Sequence, residues 1–338
     1  VIYDDHVETI VPAQSARNTE WIEGRIREIT AGNSTALFGG VSQGAAELRK
    51  HLAELSVNRI LLLSDGLANV GPRAPEDLGR LGTALAKEGI AVTTVGVGTD
   101  YNEDLMTRLS QAGDGNTYFV ESSDDLPRIF SAELGNVLNV AARTVTIELS
   151  CVNGIRPLRL IGREGRIHGN VVELTLNQLY GGQEKYALVE VELPAGKAGE
   201  VREIASVNLA YENPLTRDRH TASARGSVRF SDDVVEVQTS VNAPVQRAVV
   251  VNISAEANDR AIEQADKGKL REAADELRQS AVSLKAAASA LKDESLRKKA
   301  EETEGLAKEM DEKGAMSGHN RKSLRTDSYQ ERNQQREK

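Results

Sequence analysis

The chain is 338 residues long, more than one ordinary domain accommodates, and its 39% hydrophobic and 28% charged residues make a soluble globular composition, not a collagenous or membrane-embedded one. A net charge of −9 argues against a protein that grips nucleic acid over its surface, and aromatic residues at 4% leave little on which bases could stack. The single cysteine, Cys151, excludes an internal disulfide and a cysteine metal cage.

Up to about Asn139, short β-rich runs alternate with helix-period segments, the pattern of a parallel sheet wrapped by helices. Val1-Ile2-Tyr3 and the run from Val7 to Val11 flank Asp4-Asp5-His6 and predict two strands joined by a tight turn. Thr19 is placed to cap a helix bearing Trp21, Ile22, Ile26 and Ile29. A second helix carries Leu37, Val41, Ala45, Leu48, Leu52 and Leu55 at helical spacing. The run Ile60 to Leu63, between Arg59 and Ser64, predicts a central strand covered on both faces. Pro75 opens a helix with Leu78, Leu81 and Leu85 inward, and Gly89 closes it. Ala91 to Val97 reads as another buried strand, Glu103 to Leu109 as a short helix and Thr117 to Val120 as a last strand. Ser123 then caps a helix whose Leu126, Phe130, Leu134 and Val137 form one stripe.

From Arg143 to Ile253 the period changes to two: Val145, Ile147 and Leu149 alternate with polar residues, as do Val189, Val191 and Leu193, while Ala205, Val207, Leu209 and Tyr211 share a face. Turn residues at Gly181-Gly182, Pro194-Ala195-Gly196 and Glu212-Asn213-Pro214 separate these runs, and an antiparallel β-sandwich over residues 140–254 is expected. After Ser254 the chain is Ala-rich and helix-periodic, with a break at Gly268, which predicts an α-helical hairpin over 255–312. From Lys313 to Lys338 seven Lys or Arg face Asp327, Glu331 and Glu337 with almost nothing apolar between them. That composition predicts a disordered basic tail over 313–338, a solvated terminus before it is a segment for an acidic partner.

Asp65 ends the most apolar strand, where open parallel sheets bind their ligands, although strand-end aspartates also serve as simple turn caps. Ala31-Gly32-Asn33-Ser34-Thr35-Ala36-Leu37 precedes the second helix, and Val95-Gly96-Val97-Gly98 ends the next strand. With Tyr3-Asp4-Asp5 at the start and Gly115 to Val120 followed by Leu126-Pro127-Arg128-Ile129-Phe130 at the close, these stretches resemble the bacterial von Willebrand factor type A (VWA) domain. The resemblance covers roughly residues 1 to 138.

The resemblance implies a divalent cation at a metal-ion-dependent adhesion site (MIDAS) on the upper edge of the sheet, with Thr35 and Asp65 as two of its ligands. A hard cation, Mg2+ or in its place Mn2+ or Ca2+, suits such oxygen donors, and a vacant position accepts an acidic group from a partner protein. The family's Asp-x-Ser-x-Ser loop and its first strand and helix do not precede Val1, so the domain reads as incomplete at its amino end. Two ligands hold magnesium weakly or not at all, and two central strands lose their shared neighbour.

Enzymatic readings fare worse. A receiver-like phosphoacceptor would use Asp4-Asp5, Asp65 and Thr93 or Thr94, but Val120-Glu121-Ser122 stands where that chemistry needs a lysine. Ser64 lacks a nucleophile elbow, and His6, His51, His168, His220 and His319 have no metal-type spacing. The sequence therefore reads as multidomain: an incomplete doubly wound, Rossmann-like α/β VWA domain over 1–139, a β-sandwich, a helical hairpin and a tail. The expected function is non-catalytic protein binding or adhesion through the cation site, with a carboxylate-bearing protein as partner and no nucleic acid. The alternative is a metal-free scaffold whose sandwich and hairpin bind partners. A periplasmic, secreted or membrane-associated location is favoured over the cytoplasm, with any membrane contact made through residues upstream of Val1.

Overall fold

A computed structural model describes residues 1–32, 34–52, 57–137 and 140–335. Asn33 of the loop motif, Leu55 of the second helical stripe and the expected boundary at Asn139 lie outside the described residues, as does the side chain of Val137. The chain forms two compact units, Val1–Val140 and Ala141–Lys338.

The first unit follows the predicted order. Strands β1 (Ile2–Tyr3) and β2 (Val7–Glu8) form an antiparallel ladder, followed by α1 (Thr19–Arg27) and α2 (Leu37–Arg49). Then come β3 (Asn58–Ser64), α3 (Pro75–Lys87), β4 (Ile90–Val97), α4 (Glu103–Ala112), β5 (Asp114–Val120) and α5 (Leu126–Val137). Strands β3, β4 and β5 make a parallel sheet in that order, with Leu61 opposite Thr93 and Thr94 opposite Thr117. Alternation along the strands divides the core. Leu62 and Val92 pack with Val41, Leu78, Leu85 and Leu109 from α2, α3 and α4, whereas Val95 and Val120 pack with Ile129 of α5. Each fully buried leucine contributes about 1.5–3 kcal/mol. Gly82 lets α3 and α4 touch, because a Cβ there would stand 2.7 Å from the Leu109 carbonyl oxygen.

Local details differ from expectation. Asn18, not Thr19, caps α1 by accepting from the Trp21 amide, and Ser122 precedes the turn leading into α5. The inward residue of α5 is Ile129, 1% exposed, whereas Leu134 is 61% exposed. The reason is Glu133, which turns the inner face of that helix polar. Its carboxylate is buried and accepts from Arg59 Nη1, from Thr93 Oγ1 at 2.9 Å, from Asn116 Nδ2 at 2.5 Å and from the Tyr118 hydroxyl at 2.7 Å. One carboxylate thus ties α5 to all three strands of the sheet, with the Arg59 side chain 3% and the Glu133 side chain 1% exposed.

The second unit opens with β6 (Val140–Cys151), β7 (Arg156–Ile161), β8 (Arg166–His168), β9 (Val171–Tyr180), β10 (Leu188–Glu192), β11 (Val201–Glu212) and β12 (Arg219–Arg229). Five of these form one sheet in the order β12-β11-β6-β9-β8, and β10 pairs with β7 in a separate ladder. Leu160 of β7 joins the cluster built on Val145, Leu174 and Leu176 of the larger sheet.

The strand pattern stops earlier than the sequence suggests. Residues 234–239 form α6 (Val234–Thr239), and α7 (Ala243–Asp266) starts at the cap of Asn242, so the run Ala248 to Val251 is helical. Pro244 fits the first turn of that helix, where its missing amide costs nothing. In place of a hairpin over 255–312 there are three successive helices, α7, α8 (Leu270–Leu291) and α9 (Glu294–Lys313). Lys292 takes a left-handed conformation and Asp293 caps the next helix through the Ser295 and Leu296 amides, which divides a single periodic stretch in two. The seams are lined by alanine: Ala261, Ala273, Ala274 and Ala307 with Leu277 and Met310 at one end, Ala287, Ala288 and Ala300 with Leu284 and Leu296 at the other.

The segment expected to be a disordered tail contains α10 (Gly318–Arg332), packed on α7. Composition misleads there because the helix is held by charge. Arg321 pairs with Asp266 at 2.7 Å, while Arg325 and Arg332 both reach Asp259, at 2.7 and 2.8 Å. Leu324 and Tyr329, the few apolar residues available, are buried.

Candidate functional site

The candidate site lies where three segments of the first unit meet beyond the carboxyl ends of β1 and β3. The Ala36 amide donates to the Asp4 carbonyl at 2.7 Å, joining the loop before α2 to the end of β1. The same loop is tied to the segment after β3. The Thr35 amide donates to Asn69 Oδ1 at 2.7 Å, and the Asn69 and Val70 amides donate back to the Thr35 carbonyl at 3.1 and 3.4 Å. This clamp seats the Thr35 side chain against Gly66. A Cβ on Gly66 would stand 2.9 Å from Thr35 Oγ1, so only glycine leaves the hydroxyl undisturbed beside the residue that follows Asp65. Asp65 is exposed and Thr35 half-buried.

Tyr3 forms the floor. Its ring lies on Gly40 of α2, where a Cβ would stand 2.5 Å from the ring, and its hydroxyl donates to the Leu63 carbonyl of β3. Burial pushes the Tyr3 hydroxyl up to about 12, against a lowering by Ser64, with the Asp65 charge adding to the rise. Ser64 Oγ also donates to the Gly66 carbonyl at 3.3 Å.

Of the two ligands that the resemblance implies, Thr35 lies on the loop before α2 and has its hydroxyl against Gly66, and Asp65 precedes that glycine at the end of β3. The donors suit a hard divalent cation in kind, one hydroxyl and one carboxylate. They fill only part of a shell of about six oxygens. Asn69 Oδ1 is committed to the Thr35 amide, and it is the residue that sequence reasoning missed. An asparagine four residues past a strand-end aspartate signals a turn, not a clamp across 34 residues of chain.

Other singled-out residues have different work. A Cβ on Gly96 would stand 2.1 Å from the Tyr101 ring, so the glycine after Val95 serves packing. Thr93 Oγ1 donates to Glu133, and Thr94 Oγ1 lies 2.7 Å from Thr117 Oγ1 in the buried sheet. Neither threonine is available to a phosphoryl group. Asp4, Asp5 and His6 gather their ligand atoms within 4.8 Å of one another on an exposed turn. Hydrogen bonding to His6 lowers the Asp5 carboxyl below its ordinary value and raises His6 above its own. Among the described residues no helix is long and apolar enough to cross a membrane.

Comparison with known proteins agrees with this architecture. The family model of the von Willebrand factor type A domain matches residues 1–132. YfbK of Escherichia coli is 25% identical over 227 residues, which cover 65% of this chain and 39% of YfbK. The protein sll0103 of Synechocystis sp. is 23% identical over 226 residues, 64% of this chain and 53% of its own. The chain thus spans about half or less of the length of these relatives. A von Willebrand factor type A structure from Catenulispora acidiphila superposes with a TM-score of 0.62 at 14% identity, covering 84% of this chain and 67% of its own, a likeness of fold. This is a VWA domain-containing protein of the bacterial type. Domains of this family commonly mediate protein–protein interaction through a MIDAS, and proteins that carry them are typically non-enzymatic.

Proposed function

We propose that this protein is a non-catalytic recognition module in which a divalent cation, Mg2+ or in its place Mn2+ or Ca2+, is held by the Asp65 carboxylate and the Thr35 hydroxyl. The cation accepts a carboxylate from a protein partner. One observation carries this reading: the double hydrogen bond between Thr35 and Asn69, which seats the hydroxyl against Gly66, next to Asp65. A single carboxylate and neutral oxygens leave the ion short of negative charge, so an incoming acidic group gains by completing its shell. The second unit supports the module as a β-sandwich, consistent with Leu160 and Leu174 sharing a cluster, and a helical region. A periplasmic, secreted or membrane-associated setting suits an adhesive role.

Calorimetric titration of Mn2+ into the whole protein and into its Asp65→Ala variant tests the reading. Weak binding heat in the first, in keeping with two ligands in a part-filled shell, and none in the second is expected. Equal affinity in both removes Asp65 from the site and the cation from the function.

A further inference from the structure

The second unit presents an edge strand, paired on one side only among the described residues, with an unusual division of its two faces. β12 pairs along its whole length with β11, from Val201 opposite Arg229 to Glu212 opposite Arg219, and stands at the end of the sheet order. All of its residues are exposed except Gly226 and Val228, which are half-buried. An edge strand of eleven residues carries a row of outward amides and carbonyls with nothing hydrogen-bonded to them within the sheet.

Alternation sorts its side chains. Arg219, Arg225 and Arg229 fall on one face with Thr221, Ser223 and Ser227. His220, Ala222, Ala224 and Gly226 fall on the other, opposite Tyr211, Leu209, Val207 and Ala205 of β11. That second face continues the apolar side of the sheet, where Leu209 and Tyr211 join the cluster on Val145 and Leu176, but ends in residues too small to cover it. On the polar side a concavity of about 500 Å³ runs from Thr146 and Glu148 across Asn208 to Arg219 and Ser223. The arginines are loosely engaged: Arg225 is 3.8 Å from Glu203 and Arg229 is 3.5 Å from Glu236, with the Arg225 side chain 77% and the Arg229 side chain 63% exposed.

We infer that β12 is a docking edge for an extended segment of a partner protein in which acidic and apolar residues alternate. Such a segment adds a strand beside β12, sets its carboxylates against the three arginines and lays its apolar side chains over Ala222 and Ala224. Charge decides the occupant. A second copy pairing antiparallel about Ala224 would set Arg219 against Arg229 at both ends, and like charges directly opposite are destabilising. An acidic strand turns each of those arginines to advantage. Glu148, the acid in the concavity, stands on β6, two strands away from the docking edge.

The test uses a fluorescein-labelled peptide of alternating Glu and Val, titrated with the full chain and followed by fluorescence polarisation. Expected are saturable binding that weakens with salt and a loss on the order of tenfold in Arg219→Glu/Arg225→Glu, the equivalent of about 1.4 kcal/mol. Circular dichroism of the variant confirms its fold, and the exposed positions of both arginines leave the sheet intact. A second peptide of the same sequence, N-methylated at alternate amides, keeps the charge and loses the strand edge; its binding should vanish in one of the two methylation registers. Equal binding of both methylated registers would reduce the effect to bulk charge and overturn strand addition. Absence of binding, or a dimer of the protein that blocks the peptide, likewise overturns the proposal. Asp65→Ala should leave peptide affinity unchanged, which separates this edge from the cation site.

Discussion

Thr35 and Asn69 exchange hydrogen bonds in both directions, the Thr35 amide giving to Asn69 Oδ1 at 2.7 Å and the Asn69 amide giving to the Thr35 carbonyl at 3.1 Å. The loops after β3 and before α2 are therefore one structural piece, and the orientation of the Thr35 hydroxyl depends on a residue that offers no ligand itself. In Asn69→Ala the Thr35 amide loses its acceptor. Its hydrogen exchange should quicken by roughly 5- to 13-fold, matching a bond worth about 1–1.5 kcal/mol. An unchanged rate would show that the loops hold together by other means.

The buried pair of Arg59 and Glu133 predicts a large, local loss. Glu133→Ala strands the guanidinium in the interior together with the donors of Thr93, Asn116 and Tyr118, at a cost of about 3–5 kcal/mol. Trp21 is the one tryptophan in the chain and lies in the first unit, so urea unfolding read by its fluorescence isolates that unit. A shift equivalent to under about 1 kcal/mol would mean that the carboxylate is dispensable.

Tyr3 predicts an alkaline limit. Its hydroxyl is raised from 10.0 to about 12 by burial, so the folded state holds the proton that the unfolded chain gives up. The associated stability is complete below pH 10 and is lost as pH rises to about 12, to a total of about 3 kcal/mol. In Tyr3→Phe the first unit should therefore lose less stability than the parent between those limits, by the Trp21 probe. Parallel curves would place the titration elsewhere.

Helix α10 predicts that its removal is felt. Deleting residues 317–338 exposes the surfaces under Leu324 and Tyr329, about 1.5–3 kcal/mol each, and leaves Asp259 and Asp266 without their arginines. A fall in melting temperature on the order of 10 °C is expected for the second unit. An unchanged transition would return this segment to the solvated tail its composition suggests.

The first unit was readable because each strand is a short apolar run and each helix a spaced stripe, from Leu37-Val41-Ala45 to Leu78-Leu85, with punctuation at Pro75 and Gly89. The pairing of Thr35 with Asp65 was suggested only by resemblance to a family, and the structure adds that the Thr35 hydroxyl lies against Gly66. Nothing in their spacing specifies that two loops meet, and the clamp that joins them runs through Asn69, an ordinary loop residue. The helical region failed for a different reason. Hydrophobic periodicity reports burial against apolar neighbours, and α10 is buried against aspartates, so a pattern of Arg321, Arg325 and Arg332 looks like solvated charge until Asp259 and Asp266 are placed opposite it. The break between α8 and α9 was hidden because Lys292, not glycine, adopts the left-handed turn.

The alanine seams of the helical region set its tolerance to change. At Ala261, Ala273, Ala274 and Ala307 there is only a methyl to trim, and each of these contacts is crowded. Enlarging one of these methyls wedges two rods apart over several turns, so these positions should forgive erosion more readily than growth, in contrast to Leu277 beside them and Leu284 further along α8.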